Sequence, residues 1–211
     1  MAYRILSINP GSTSTKIALY EDKTPLFVEN IVHSDEELAP FPNIVSQFAF
    51  RKEAVLKALE QHGVDPQSLA IIVGRGGMLP PIHAGAYLVN EDMKEEILHG
   101  RAKEHASNLG ALIGDSIGQM YGISAYIYDA VCSDEMPEIA KLTGVPGVTR
   151  QSFCHVLNAK ATARKVAEQL GKRYEDCHFV VAHIGGGISV SAHQNGRIID
   201  NIPDDAGPFS P

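Results

Sequence analysis

The chain has 211 residues, 44% hydrophobic and 20% charged, ordinary globular proportions that can furnish a sizeable core and that exclude a disordered, collagen-like or disulfide-dense protein. Eighteen basic against 25 acidic residues give a formal net charge of −7, which argues against nucleic acid as a partner. Cys132, Cys154 and Cys177 are odd in number and lack CxxC spacing, and no apolar run reaches the ~18 to 20 residues of a membrane span or reads as a signal peptide, so a soluble, cytoplasmic protein with reduced thiols and no membrane partner is expected.

The chain opens on strands. Tyr3 to Ile8 reads as a buried strand, Asn9 to Ser14 as a polar turn, Lys16 to Glu21 as a returning strand and Leu26 to Val32 as a third, an antiparallel meander. From Ile44 the period changes: Ile44, Phe48, Val55, Leu56 and Leu59 share one helical face, and Gly63 stops the helix. Leu69 to Val73 is a short apolar run before Gly74, suited to a central strand. Glu91 to Leu98 and Asn108 to Met120 read as helices, and Ser124 to Tyr128 as a buried strand ending at Asp129. Pro137 to Leu142 and Val156 to Leu170 read as further helices. Strands near Phe179 to His183, Ile188 to Ala192 and Arg197 to Ile202 close the pattern.

The first strand–turn–strand, LSINPGSTSTKIALYED, has a counterpart about 175 residues later, VVAHIGGGISVSAHQNG. Each runs from an apolar strand to a polar residue, Asn9 or His183, then through a Gly/Ser/Thr turn into a returning strand, and each is followed by a third strand. Two copies of a three-stranded meander predict an α/β protein of two related lobes, residues 1–131 and 132–211. The second copy reaches its third strand and then Gly207-Pro208-Phe209-Ser210-Pro211. Three strands alone leave an apolar face and an edge exposed, so an incomplete second lobe is expected.

Several residues have the means for chemistry. Gly11, Ser12, Thr13 and Ser14, between Asn9 and Lys16, put a glycine and hydroxyls into a turn that can aim N–H and O–H groups at phosphate oxygens. The turn lacks GxxxxGK[ST] spacing and is followed by a strand, so it is not a P-loop, and a plain Ser/Thr-rich hairpin turn explains it equally. After His183, Gly185, Gly186 and Gly187 lose conformational entropy that a close ligand or a positive φ would justify. At the matching place in the repeat they read as half of a two-sided phosphate clamp, and alone as a tight turn. Arg75, between Gly74 and Gly76-Gly77 at a strand end, suits a bidentate carboxylate or phosphate contact or is a plain surface arginine. Asp129, after a buried strand, suits a metal or nucleophile and equally a helix cap. His155 stands at a predicted helix start, where an interior or capping histidine is the ordinary reading. His178 and His183 face opposite sides of one strand, so they do not form a metal pair, and no zinc site is legible.

Taken together these motifs resemble the acetate/butyrate kinase family of the actin-like (ribonuclease H-like) ATPase superfamily, over the whole chain. ILSINPGSTSTK resembles the family's first phosphate signature and HIGGGISVSAHQNG its second. GRGGMLPPIHAGAYLVN, YDAVCSDEMPEIA and SFCHVLNAKA resemble the butyrate branch. The resemblance implies ATP and Mg²⁺ as cofactors, a short-chain carboxylate as substrate and an acyl phosphate as product, with an assembly of like chains by analogy. It implies that Arg75 holds the acyl carboxylate and the transferring phosphoryl group, and that Asp129 is a catalytic aspartate near Mg²⁺ and substrate. It makes His155 a transition-state stabiliser. Asn9, Gly11, Ser12, Thr13, Ser14 and Lys16 become the first phosphate loop, and His183, Gly185, Gly186 and Gly187 the second. Asp204 begins a loop near the nucleotide, and Asn9 and Asp129 are the candidates for contact with Mg²⁺. Family members continue beyond the position of Pro211. The alternatives are a kinase for another small acid or a sugar, and a non-catalytic nucleotide-binding fragment of the same fold.

Overall fold

A computed structural model describes residues 2–100, 104–185 and 187–203. The chain divides into two compact units: Met1–Leu79 with Gly85–Tyr128, and Pro80–Ala84 with the residues from Asp129 onward. The division falls three residues before the sequence-based boundary at 131/132, and five residues of the first stretch, 80–84, join the second unit. They do so through backbone pairing, with Ile82 bridged to Ser133 and Asp134 N–H donating to the Ile82 carbonyl at 2.7 Å.

In the first unit, β1 (Arg4–Pro10), β2 (Ser14–Glu21) and β3 (Thr24–Val32) form the expected meander. The turn is tighter than the sequence suggests. Asn9 and Pro10 continue β1, with Pro10 in register with Thr15, so only residues 11–13 lie outside strands. A one-turn helix, α1 (Asp35–Leu38), starts at a capping box in which Ser34 and Glu37 satisfy each other's backbone N–H. Helix α2 (Phe48–Gln61) leads into β4 (Ile71–Arg75), parallel to β1. Strand β5 (Ala86–Leu88), too short to read in the sequence, precedes α3 (Glu91–His99), capped by the Asn90 side chain on Met93 N–H. Helix α4 (Leu109–Tyr121) ends at Gly122 in the left-handed region and returns the chain as β6 (Ala125–Tyr128), parallel to β4. The sheet order is β3-β2-β1-β4-β6-β5.

Strand alternation gives this sheet two unlike faces. Leu6, Ile8, Ile17, Ile72 and Ile127 are fully buried and share one face. Each contributes roughly 1.5–3 kcal/mol by leaving water. Helix α4 lies on that face at backbone contact, because Gly110, Gly114 and Gly118, four residues apart, turn a bare stripe toward the strands. A Cβ at Gly74 would collide with the Gly110 carbonyl, and one at Gly110 would lie 2.8 Å from the Arg75 carbonyl oxygen. The glycine pair therefore sets the depth at which the end of β4 sits.

In the second unit, α5 (Val156–Gln169) is followed by the antiparallel sheet β7 (His178–Ile184), β8 (Ile188–Gln194) and β9 (Arg197–Pro203). The helix expected over Pro137 to Leu142 is a single 3-10 turn, Glu138–Lys141. Leu142 is already extended, and the Thr143 hydroxyl holds the chain back by donating to the Val145 and Val148 carbonyls, so no α-helical turn propagates. Helix α5 buries Ala163 and Ala167 with Tyr174 and Cys177 against Phe179 and Val181. All three cysteines are buried and outside any disulfide, and burial pushes the Cys154 thiol up to about 12. Among the described residues no helix is long and apolar enough to cross a membrane.

The repeat is one of strands and not of cover. In the sequence match of Asn9 with His183, Leu6 and Ile8 correspond to Val180 and Ala182. Leu6 and Ile8 are wholly buried, whereas Val180 is 76% exposed, together with Ile184, Ile188, Val190 and Ile202. The face covered by helices in the first unit is thus bare in the second, where α5 packs on the opposite face instead.

Two measurements check this packing. Gly74→Ala is expected to lower the free energy of urea unfolding by about 2 kcal/mol or more through overpacking against Gly110. Gly144→Ala, where a Cβ meets nothing within 4 Å, stays within about 0.5 kcal/mol. His193 is 2% exposed, between Tyr174 Oη (2.6 Å) and Ser191 Oγ (2.8 Å). Burial first, and then the charge of Lys160, lowers its pKa from 6.5 to about 4. Over that window the unfolded chain binds more protons than the folded one, so stability is full above pH 6.5 and falls as the pH drops toward 4. The loss is on the order of 3 kcal/mol, and His193→Gln is expected to flatten the stability–pH curve in this interval.

Candidate functional site

The first turn is built over a buried cation. Arg51, on the inward stripe of α2 with Val55, Ala58 and Leu59, is 0% exposed. Its Nη1 donates to the carbonyls of Gly11 (2.8 Å) and Ser14 (2.9 Å) and to Thr15 Oγ1 (3.1 Å). Nη2 donates to the Ser12 carbonyl at 2.7 Å, and Nε to Gln47 Oε1 at 2.9 Å. The remaining turn carbonyl, that of Thr13, accepts from His33 N–H at 2.9 Å. The His33 ring, 3% exposed, sits 2.9 Å from Thr15 Oγ1, and its burial, with Arg51 nearby, lowers its pKa, so it is neutral at pH 7. Ser12 and Thr13 themselves are exposed.

Beside the turn, register places three sequence-predicted residues in one row. Asn9 pairs with Lys16, Ile8 with Gly74, and Arg75 with Tyr128, so Lys16, Asn9, Arg75 and Tyr128 run side by side across β2, β1, β4 and β6. Because Ile8, Ile72 and Gly74 face α4, this row lies on the other face of the sheet. Asn9 and Lys16 are exposed and Arg75 is half-buried. Burial pushes the Arg75 pKa down, yet a guanidinium remains charged at any physiological pH. Among the described residues no carboxylate forms an ion pair with Arg75. The loop after it is held by Asn108, whose Oδ1 accepts from Met78 N–H at 2.7 Å; a Cβ at Gly77 would collide with that same side chain.

In the second unit the structure brings His155 and His183 together. Their rings stack at 3.8 Å between centroids, 11° from parallel. Ser189, in register with His183 and 3% exposed, sets the other ring: its Oγ is 2.8 Å from His155 Nδ1 and accepts from His155 N–H at 3.3 Å. Ser189 thus fixes the ring through Nδ1. The approach to His155 is pinned to β9, where Arg150 donates to Asp200 Oδ1 (2.8 Å) and the Asn201 carbonyl (2.7 Å). Asn201 itself accepts from Phe153 N–H at 3.2 Å and donates to Ser152 Oγ at 3.0 Å. A buried Lys160–Glu135 pair at 2.9 Å, with Glu135 also accepting from Ile198 N–H, ties α5 to β9. Asp129 is 2% exposed with φ +43°, a backbone turn uncommon for an aspartate, and Arg164 Nη1 lies 3.7 Å from its Oδ2. No helix follows it directly, so its role is not that of a cap. In the glycine turn, Gly185 N–H donates to the Gly187 carbonyl at 3.1 Å. Gly186 and Asp204 lie outside the described residues.

Sequence reasoning missed Arg51, Asn108, Ser189 and Arg164. Only Arg51 left a readable signal: it stands four residues before Val55 and seven before Ala58, on a stripe where an apolar side chain is expected.

Residues 125–202 match the Acetokinase family. Butyrate kinase 2 of Clostridium acetobutylicum is 48% identical over 213 residues, a match covering 100% of this chain and 60% of the relative. A probable butyrate kinase of Listeria monocytogenes is 46% identical over the same span and share. The chain spans about 60% of the length of these curated relatives. Among solved structures, the acetate kinase of Porphyromonas gingivalis superposes with a TM-score of 0.66 at 20% identity, covering 94% of this chain and 57% of that one. A propionate kinase from Francisella tularensis gives 0.64 at 17% identity, covering 94% and 56%. This chain therefore has the α/β fold of those two structures, with its strand meanders and mixed sheet, over the part it covers. From its first strand to its last, the chain is related to the butyrate kinases, and its residues 125–202 match the Acetokinase family.

Proposed function

We propose that this chain holds the phosphate-binding turns and the acyl-binding arginine of a kinase that transfers the γ-phosphoryl group of ATP to a short-chain carboxylate, butyrate foremost. The observation that carries the reading is Arg75, a half-buried cation in one row with Asn9 and Lys16, for which no carboxylate partner occurs among the described residues. A carboxylate oxygen attacks the γ-phosphorus, the bond to the β–γ bridging oxygen breaks, and its electron pair leaves on ADP. The nucleophile is already anionic and needs no strong base. The obstacle is repulsion, about 4 kcal/mol for two like charges 4 Å apart at an effective dielectric of 20. Positioning and neutralisation carry such a transfer. Arg75 can bridge carboxylate and phosphoryl oxygens in a fork, and Lys16 adds positive charge in a protein whose net charge is −7.

By resemblance, Asn9 and residues 11–14 are phosphate-binding, and so are His183, Gly185, Gly186 and Gly187. Asp204 adjoins the nucleotide by resemblance. His155, its ring fixed by Ser189 and stacked on His183, is by resemblance the residue that stabilises the transferring group. Mg²⁺ takes hard oxygen ligands, usually one or two carboxylates with phosphate and water. The Asp129 carboxylate and the Asn9 amide fit that need, and no cluster of three His, Cys, Asp or Glu suited to a metal occurs among the described residues. Bound with the nucleotide, the ion would spread the phosphate charge. An assembly of like chains working in the cytoplasm completes the proposal.

Hydroxylamine trapping tests it. With Mg-ATP, a polypeptide carrying this sequence is expected to give hydroxamate with butyrate, and ADP release that needs glucose and no acid would overturn the reading. Arg75→Ala is expected to lower kcat/KM by roughly 2 to 4 kcal/mol; a variant within threefold of the parent removes the role assigned to Arg75.

A further inference from the structure

The buried side of the first turn shows how its outward side is made. A peptide plane points the carbonyl of one residue and the N–H of the next in opposite directions. The carbonyls of Gly11, Ser12 and Ser14 are drawn inward by the Arg51 guanidinium, and that of Thr13 by His33 N–H. The N–H groups of Ser12 and Thr13, each joined to one of the Arg51-bound carbonyls, are therefore turned outward on exposed residues. Gly11 N–H is already spent on the Ser14 carbonyl at 2.7 Å. Adjacent N–H groups pointing the same way form an anion-binding concavity.

We propose that Arg51 is the positioning residue of the phosphate site: from the core side it pulls the turn carbonyls inward and so presents Ser12 and Thr13 N–H to phosphate oxygens. It acts through the backbone and touches no ligand. The inference rests on the reading of this turn as a phosphate loop. Its chemistry requires a guanidinium. Three carbonyls and one hydroxyl are met by two nitrogens of a rigid planar fork, while the third nitrogen is anchored by Gln47. A lysine ammonium keeps the charge but cannot span both sides of the turn.

The test is backbone amide NMR on the whole chain, titrated with inorganic triphosphate and Mg²⁺. In the parent, the Ser12 and Thr13 amides are expected to shift on binding and to exchange quickly with solvent when free. In Arg51→Lys, triphosphate affinity is expected to fall tenfold or more, and the Ser12 and Thr13 response to disappear. Leu59→Ala, a buried truncation elsewhere on α2, serves as the stability control and is expected to keep the response. An unchanged affinity and response in Arg51→Lys overturns the inference. A parent that binds triphosphate without moving Ser12 and Thr13 instead overturns the phosphate-loop reading; Arg51 is then judged by amide exchange at residues 12–14, where no difference from the parent refutes it. Should Arg51→Lys fail to fold, Gln47→Met, which frees one side of the fork, decides between the same outcomes, with at least a threefold loss of affinity expected.

Discussion

A guanidinium with no exposure to water is costly unless every donor finds an acceptor. Arg51 finds its acceptors in three main-chain carbonyls of one turn, with Thr15 Oγ1 and Gln47 Oε1 beside them. The turn and the cation therefore require each other. Without Arg51 the carbonyls of Gly11 and Ser12 would lose the partner they have on the core side, and without the turn Arg51 would be a buried charge short of acceptors beneath β1 and β2. Through Thr15 the same network reaches His33, a buried neutral imidazole held next to a positive charge. A backbone shape suited to an anion is thus maintained by a cation on its far side, at a place no ligand touches.

The sheet distributes roles between its faces. On the α4 side, three glycines four residues apart bring helix and strands to backbone contact, and the depth of that contact fixes the end of β4. On the other side, Lys16, Asn9 and Arg75 stand in one row across three strands. In an acidic protein a positive site must be made locally, and strand register makes it here: Asn9 and Arg75, far apart in sequence, become neighbours because the residues before them, Ile8 and Gly74, are register partners on paired strands.

The second unit repeats the strands with the helix on the other face. Its polar residue near the end of β7, His183, is thereby placed against the N-terminus of α5, where His155 stacks on it and Ser189 holds the stack. The corresponding residue of the first unit, Asn9, faces away from its helices. Equivalent strands therefore present unlike chemistry: an open row of cations and amide in one unit, a packed pair of imidazoles in the other. The apolar face left bare in the second unit, with Val180 and Ile184 outermost, is the expected counterpart of a face that helices cover in the first.

Local pattern was enough for much of this. The meanders, the long helices, the two Gly/Ser turns and the candidate Arg75 could be named from apolar periodicity and turn chemistry, which depend on near neighbours in the chain, whereas His155 and His183 became candidates through the family resemblance. Other features had no local signature. β5 is three residues long, and the segment over residues 138–141 stops at one 3-10 turn because a threonine hydroxyl reaches back to the chain around it. Residues 80–84 belong with the second unit only through pairing to a segment about fifty residues away. For Arg51 the sequence shows a charge on a stripe where an apolar side chain is expected but not its partners, and only the packing of α2 under the first turn brings its guanidinium within 3 Å of the carbonyls of Gly11, Ser12 and Ser14. Periodicity determines which side of an element is buried. What a buried charge is paired with is decided by contacts between residues far apart in the chain, because the cost of desolvation is met only where the whole fold supplies the acceptors.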